Sequence, residues 1–214
     1  MTLTGLKDNI ENIIFDLDGT LWDPMPMSIK AWHTALNGFD CIKNPISKED
    51  IQGILGMQHD LVGKKLFPYL TEEQQSEVMN SCYVKEVNDI KESGGVLYNG
   101  LEATLKILGN KYNLFIVSNC QEGYIEAFYE YHGLGGYFKD FECSGNTGKS
   151  KTENVKMVIE RNNLAKPIYI GDTLGDYTAA EGNRIPFIFA QYGFGAVPNA
   201  QFTINKIEDL KDLL

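Results

Sequence analysis

The 214-residue chain is 43% hydrophobic and 22% charged, proportions that exclude a disordered or fibrous chain and allow one ordinary domain, or a core with a smaller insertion. Nineteen basic residues against 29 acidic ones give a formal net charge of −10, which repels phosphate backbones and anionic lipid, so no nucleic acid and no membrane is expected as a partner. The cysteines Cys41, Cys82, Cys120 and Cys143 are scattered without a CxxC pair and predict reduced thiols in a cytoplasmic protein rather than a zinc cage or a disulfide framework. No apolar run approaches the roughly 18 residues of a membrane helix. Met1 to Glu11 lacks the basic start and apolar centre of a signal peptide.

The first predicted strand is Ile13-Ile14-Phe15. From Trp22 to about Glu92 the chain carries helix signals and no convincing strand, and this stretch reads as an inserted helical unit. Ile29, Trp32 and Leu36 form an apolar stripe, Ser47-Lys48-Glu49-Asp50 is a cap candidate, and Thr71-Glu72-Glu73-Gln74 reads as a capping box opening a helix through Val78, Cys82 and Val87. Gly94-Gly95 is a candidate hinge. Beyond it, strands and helices alternate. Strands are predicted at Leu114–Val117, Ile168–Ile170 and Pro186–Phe189, with weaker ones at Phe141–Cys143 and Phe202–Ile204. Helices are predicted around Leu101/Leu105/Leu108, Ile125/Phe128/Tyr129, Val155/Val158/Ile159 and Ile207/Leu210/Leu213. The glycine-rich Gly133–Gly148 region reads as turns around a short strand. Such alternation predicts an α/β fold with a parallel sheet covered on both faces, with ligands at the carboxyl ends of the strands.

Those ends carry the chemistry. The first strand runs into Asp16-Leu17-Asp18-Gly19-Thr20, the second core strand into Ser118-Asn119, and a later one into Gly171-Asp172 with Asp176 four residues on. Lys151 precedes the intervening helix. Carboxylates on one sheet edge make a hard oxygen site suited to Mg2+, and a lysine with hydroxyl and amide donors suits phosphate oxygens.

The ordered set DLDGT, SN, K and GDxxxD resembles the haloacid dehalogenase-like superfamily over nearly the whole chain, and the helical insertion resembles the type-1 cap of its phosphoglycolate phosphatase-like subfamily. The resemblance implies a Rossmann-like core, residues 1–21 and 93–214, with a helical cap, residues 22–92. It implies Asp16 as nucleophile and Asp18 as general acid and then base. Mg2+ would be held by Asp16, Asp172 and the backbone carbonyl of Asp18, and phosphate oxygens by Ser118, Lys151 and the backbone N–H groups of Leu17 and Asn119. Lys149 is a rival to Lys151, whose distance to the next helix favours it. Asp176 has two readings, as a residue orienting a metal water or Lys151, or as an acid of the helix's first turn.

Among the remaining signals Cys120, Trp22 and Trp32 read as packing and His33 and His132 as ordinary helix residues. His59, in Gly56-Met57-Gln58-His59, is either a cap residue facing the site or a surface histidine. The presence of Asp18 disfavours dehalogenation and phosphonate cleavage, for which Lys64 and Lys65 are only weak Schiff-base candidates. A β-phosphoglucomutase-like sugar phosphomutase is the nearest alternative, supported by Ala31-Trp32. Those mutases carry a gating histidine where this chain has Ser28, which favours hydrolysis. A non-catalytic phospholigand-binding module would not need both acids. The expectation is a Mg2+-dependent phosphatase of a small phosphorylated metabolite, monomer or homodimer.

Overall fold

The computed structural model describes residues 9–57 and 59–214, without the side chains of residues 59 and 60. Residues 1–8, Gln58 and the His59 side chain singled out above lie outside the described residues. Six strands form one sheet in the order β5-β4-β1-β6-β7-β8, and every neighbouring pair is parallel. They are β1 (Asn12–Phe15), β4 (Asn113–Ser118), β5 (Phe138–Cys143), β6 (Pro167–Gly171), β7 (Phe187–Ala190) and β8 (Thr203–Ile204).

The predicted strands are apolar on consecutive residues because both sheet faces are covered. Ile13 and Phe15 of β1 join one core layer, whereas Ile14 between them joins Phe115, Val117, Val155 and Tyr169 in the other. The chain moves outward from β1 through β4 to β5 and then returns to β6 on the far side of β1. The carboxyl end of β1 is therefore the topological switch point, where a crevice opens.

Between β1 and β4 lies the helical stretch. It comprises α1 (Met25–Leu36), α2 (Lys48–Gln52), α3 (His59–Leu66) and the long α4 (Glu72–Ser93). The capping boxes at Ser47 and Thr71 both form, so α2 and α4 begin where the sequence places their first turns. Helix α4 packs along α1 and against α6 (Tyr124–His132) of the sheet layer. Helix α5 (Leu101–Leu108) follows the return to the sheet.

The expectation of a strand-free segment from Trp22 onward needs correction. Trp22–Asp23 forms β2 and pairs antiparallel with β3 (Val96–Leu97). Two residues are too few to show a period-2 pattern, and their pairing depends on where the chain comes back. Trp22 packs edge-on against Tyr124, Phe128 and His132, so it belongs to the sheet layer rather than to a core of the helical unit. At the return, Gly94 has φ +61° and a Cβ there would lie 2.2 Å from the Tyr131 ring. The Gly-Gly pair is thus required both by the turn and by close packing.

The terminal helix is also shorter than its apolar spacing suggests. Ile207–Asp209 is a 3-10 turn, and only Leu210–Leu213 is α-helical. No helix among the described residues is long and apolar enough to cross a membrane.

Candidate functional site

Past the end of β1 the backbone of Asp16 continues the ladder by donating to Ile170 O at 2.8 Å, and the chain then turns sharply. Gly19 donates to Trp22 O and Leu21 to Leu17 O, while Leu17 is fully buried as the plug of this loop. Gly19 has φ +81°, and a Cβ on it would stand 2.3 Å from Asp172 Oδ2. Only glycine lets the first motif press its backbone onto the carboxylate that follows β6.

This closeness gathers Asp16, Asp172 and Asp176, which each offer an oxygen within 4.8 Å of the others. Lys151 opens helix α8 (Lys151–Arg161), whose N-cap Ser150 sets its first turn. Its ammonium donates to Asp16 Oδ1 at 2.8 Å and to Asp176 Oδ1 at 2.6 Å. Lys149 is exposed, so of the two candidate lysines Lys151 is the one brought to the carboxylates.

Asp176 both bonds Lys151 and sits in the first turn of the following helix. It is the N3 residue of the capping box that Thr173 makes at the start of α9 (Leu174–Gly182). Its Oδ2 accepts from the backbone of Asp172 and Thr173 and from the Thr173 hydroxyl, and its Oδ1 takes Lys151. Both of its oxygens thus accept hydrogen bonds, and it remains one of the three carboxylates of the cluster.

The electrostatics follow from burial. Three buried carboxyl groups share the neighbourhood of one ammonium, which pairs with Asp16 and Asp176. Burial raises Asp16 well above the carboxylate range, and the charges of Asp176 and Asp172 add to it while Lys151 opposes them. Asp172 is pushed up to about 7 by burial and by Asp176, against the backbone N–H groups of Phe194 and Gly195. Burial alone would lower Lys151, but Asp16 and Asp176 hold it well above its usual value. Buried carboxylate oxygens gathered in this way could hold a divalent metal ion, with Asp16, Asp172 and Asp176 as the group that offers them.

Asp18 occupies a different environment. The Trp22 indole N–H donates to its Oδ1 at 2.7 Å and the Tyr124 hydroxyl at 3.0 Å. Burial raises this carboxyl to about 7, helped by Glu86 and opposed by those two donors. Ser118, at the end of β4, is buried and accepts from Cys120 N at 3.4 Å. Asn119 reaches across to the helical stretch, donating from Nδ2 to Gly56 O at 2.9 Å and accepting from Ser144 Oγ.

Asp16, Asp18, Ser118, Asn119 and Lys151 all line one cavity of about 70 Å³ between the sheet edge and the helical stretch. Space of that size holds about five waters. Cys120, read as packing, is buried and lines the cavity as well, and so does Trp32. His33 bonds the Ile46 carbonyl at 2.6 Å and His132 packs on Trp22, both structural positions.

Sequence reasoning missed Glu86, Gln121 and Tyr124. Glu86 lies four residues after Cys82 on the buried face of α4, and an acid at helical spacing within an apolar stripe is the signal that could have found it.

Comparison with known proteins agrees with this geometry. The chain is 26% identical to a phosphoglycolate phosphatase of Rhodobacter capsulatus over 87% of its own length and 86% of the relative's. It is 22% identical to that of Vibrio parahaemolyticus over 97% of each chain. The fold superposes on a predicted phosphoglycolate phosphatase from Haemophilus somnus with a TM-score of 0.84, at 17% identity and over 96% and 98% of the two chains. Residues 13–190 match the haloacid dehalogenase-like hydrolase model, and the chain belongs to that enzyme family as a phosphoglycolate phosphatase-like member.

Proposed function

We propose that the protein is a Mg2+-dependent phosphomonoesterase of a small phosphorylated metabolite, working through an aspartyl-phosphate on Asp16. The observation that carries this reading is the contrast between two buried carboxyls lining one cavity. Asp16 is held by a lysine ammonium, whereas Asp18 is held by two neutral donors and pushed to about 7. Carboxyls in such different surroundings take different roles, and one near 7 both gives and takes a proton at neutral pH.

In the first half-reaction a carboxylate oxygen of Asp16 bonds to phosphorus as the ester P–O bond breaks, and Asp18 gives its proton to the leaving oxygen. In the second, Asp18 takes a proton from water as that water's oxygen bonds to phosphorus, which releases phosphate and restores Asp16. Ser118 and Lys151 orient the non-bridging oxygens, with the backbone N–H groups of Leu17 and Asn119 beside them. Asp176 keeps Lys151 in place. Asp16, Asp172 and the Asp18 carbonyl would hold the cation, whose charge would offset that of the phosphoryl group.

Residues 22–92 act in this reading as a cap over a core of residues 1–21 and 93–214. The Asn119 bond to Gly56 is a latch between them, and its release would widen access to the cavity that both residues line. Four unpaired cysteines suit a reducing cytoplasm.

Phosphate release over a panel of small phosphate esters, with Mg2+ or with EDTA, tests the reading. One ester class should be cleaved far faster than the rest and EDTA should stop it, whereas isomerisation of a sugar phosphate without phosphate release would point to a mutase. Asp18→Asn should lower turnover of an alkyl ester by about 10²- to 10⁴-fold. It should cost less with an aryl ester, whose leaving group needs no proton. Equal losses on the two esters would refute the acid role.

A further inference from the structure

The cavity has a second polar end, and it faces the helical stretch. Glu86 of α4 is only 5% exposed and lines the cavity together with Asp18, Ser28 and Trp32. Gln121 Nε2 donates to Glu86 Oε2 at 2.8 Å, and the Ser28 side chain lies beside the same carboxyl group. A carboxyl group accepts several hydrogen bonds, so the Gln121 bond leaves capacity open. Beside it the Trp32 indole N–H, 4% exposed, has no hydrogen-bond partner. It lies beside the Glu86 carboxyl, outside normal hydrogen-bond geometry. A buried donor left unpaired costs about 1–3 kcal/mol and calls for an occupant that accepts from it.

Charge narrows the choice of occupant. Among the described residues, Lys151 is the basic side chain lining the cavity, and Asp16 and Asp176 already engage it. A carboxylate on the leaving group would meet the Glu86 carboxyl, whose charged form burial already disfavours. A hydroxyl group donates to Glu86 and accepts from Trp32, satisfying both.

We infer that Glu86 and Trp32 determine specificity by binding a hydroxyl group on the leaving alcohol, so that the preferred substrate is a hydroxylated neutral alkyl or polyol phosphate and a carboxylated ester such as phosphoglycolate is rejected. This rests on the phosphomonoesterase reading above and departs from the substrate named in the curated relatives. The apolar remainder of that wall, including Ile54 and Met57, suits the carbon skeleton. Ser28 and Gln121 position the Glu86 carboxyl from two sides.

The test uses the full-length enzyme with Mg2+ and two esters that differ in one group, hydroxyethyl phosphate and phosphoglycolate. The wild-type kcat/KM should favour hydroxyethyl phosphate by about tenfold or more, because a site built for a hydroxyl leaves its own polar groups unpaired with any other ligand. Glu86→Gln keeps the shape and removes the charge, and it should raise KM for hydroxyethyl phosphate and lower the ratio of the two efficiencies by about tenfold. Trp32→Phe should weaken hydroxyethyl phosphate without improving phosphoglycolate, and it provides the test should the Glu86 variant fail to fold. A wild-type preference for phosphoglycolate, or a ratio that neither variant moves, would overturn the inference and leave the phosphatase reading standing. Absence of phosphate release from both esters and from p-nitrophenyl phosphate would overturn the phosphatase reading itself, and this inference with it.

Discussion

Asp16→Asn is expected to reduce phosphate release by at least about 10⁴-fold, equivalent to about 5.5 kcal/mol of barrier, and to leave no phosphate covalently attached to the protein. The amide oxygen is a poor nucleophile and carries no charge to share with a cation, so both functions assigned to this residue go together. The fold should survive, and the metal-free variant should melt no lower than wild type. Asp16 is buried with Asp172 and Asp176 beside it, and burial raises its pKa well above normal, so its charged form opposes folding at neutral pH. The amide relieves that repulsion and still gives Lys151 an acceptor, while Asp176 keeps its own bond to the ammonium. Acid-quenched single turnovers and a thermal melt in EDTA check the two halves. Residual turnover above about a hundredth of wild type would refute the nucleophile assignment.

That a residue so costly to the fold is a product of the strand ends explains why much of the site is legible in the sequence. Asp16, Ser118 and Asp172 each sit at the carboxyl end of an apolar run, and parallel strands bring such ends together whatever the intervening lengths. Lys151 is legible for a local reason. Ser150 is an N-cap, so the next residue starts the helix in a fixed direction while Lys149 stays in the loop. Asp176 is readable as a capping-box acid, and its hold on Lys151 follows from the same first turn.

What stayed hidden depends on long-range contact. Tyr124 reaches Asp18 from 106 residues away and Gln121 reaches Glu86 from 35, and neither pairing leaves a periodic trace. Trp22 showed its size but not its indole bond to Asp18, which depends on how the loop between them turns and leaves no periodic trace either. The elements are therefore encoded locally, whereas the surroundings of Asp18 and the polar end of the cavity arise from tertiary packing.

Lys151→Met is expected to be the most damaging single change to stability. The side chain keeps its length and stays buried, but Asp16 and Asp176 both lose their counter-charge. Removing one partner of a buried ion pair costs about 3–5 kcal/mol, which in a chain of this size lowers Tm by about 10 °C. The deficit should depend on pH in a definite direction. In metal-free protein the folded-state pKa values of Asp16 and Asp172 lie above their unfolded value of about 3.9, with Asp172 at about 7. Between those limits the native state binds more protons than the unfolded one, so stability falls as pH rises through the window. Losing Lys151 raises the native values further, and the melting difference from wild type should therefore widen from pH 5 to pH 8. Mg2+ should recover part of it, because a ligand at about 100 times its Kd adds about 2.7 kcal/mol to the native state. Turnover should stay low even then, since the cation restores charge balance without restoring the donor that orients phosphate. Melts at the two pH values, with EDTA and with Mg2+, separate these contributions. A variant that melts within about 2 °C of wild type at pH 8 in EDTA would mean that the three carboxylates are relieved by protonation or water rather than by Lys151.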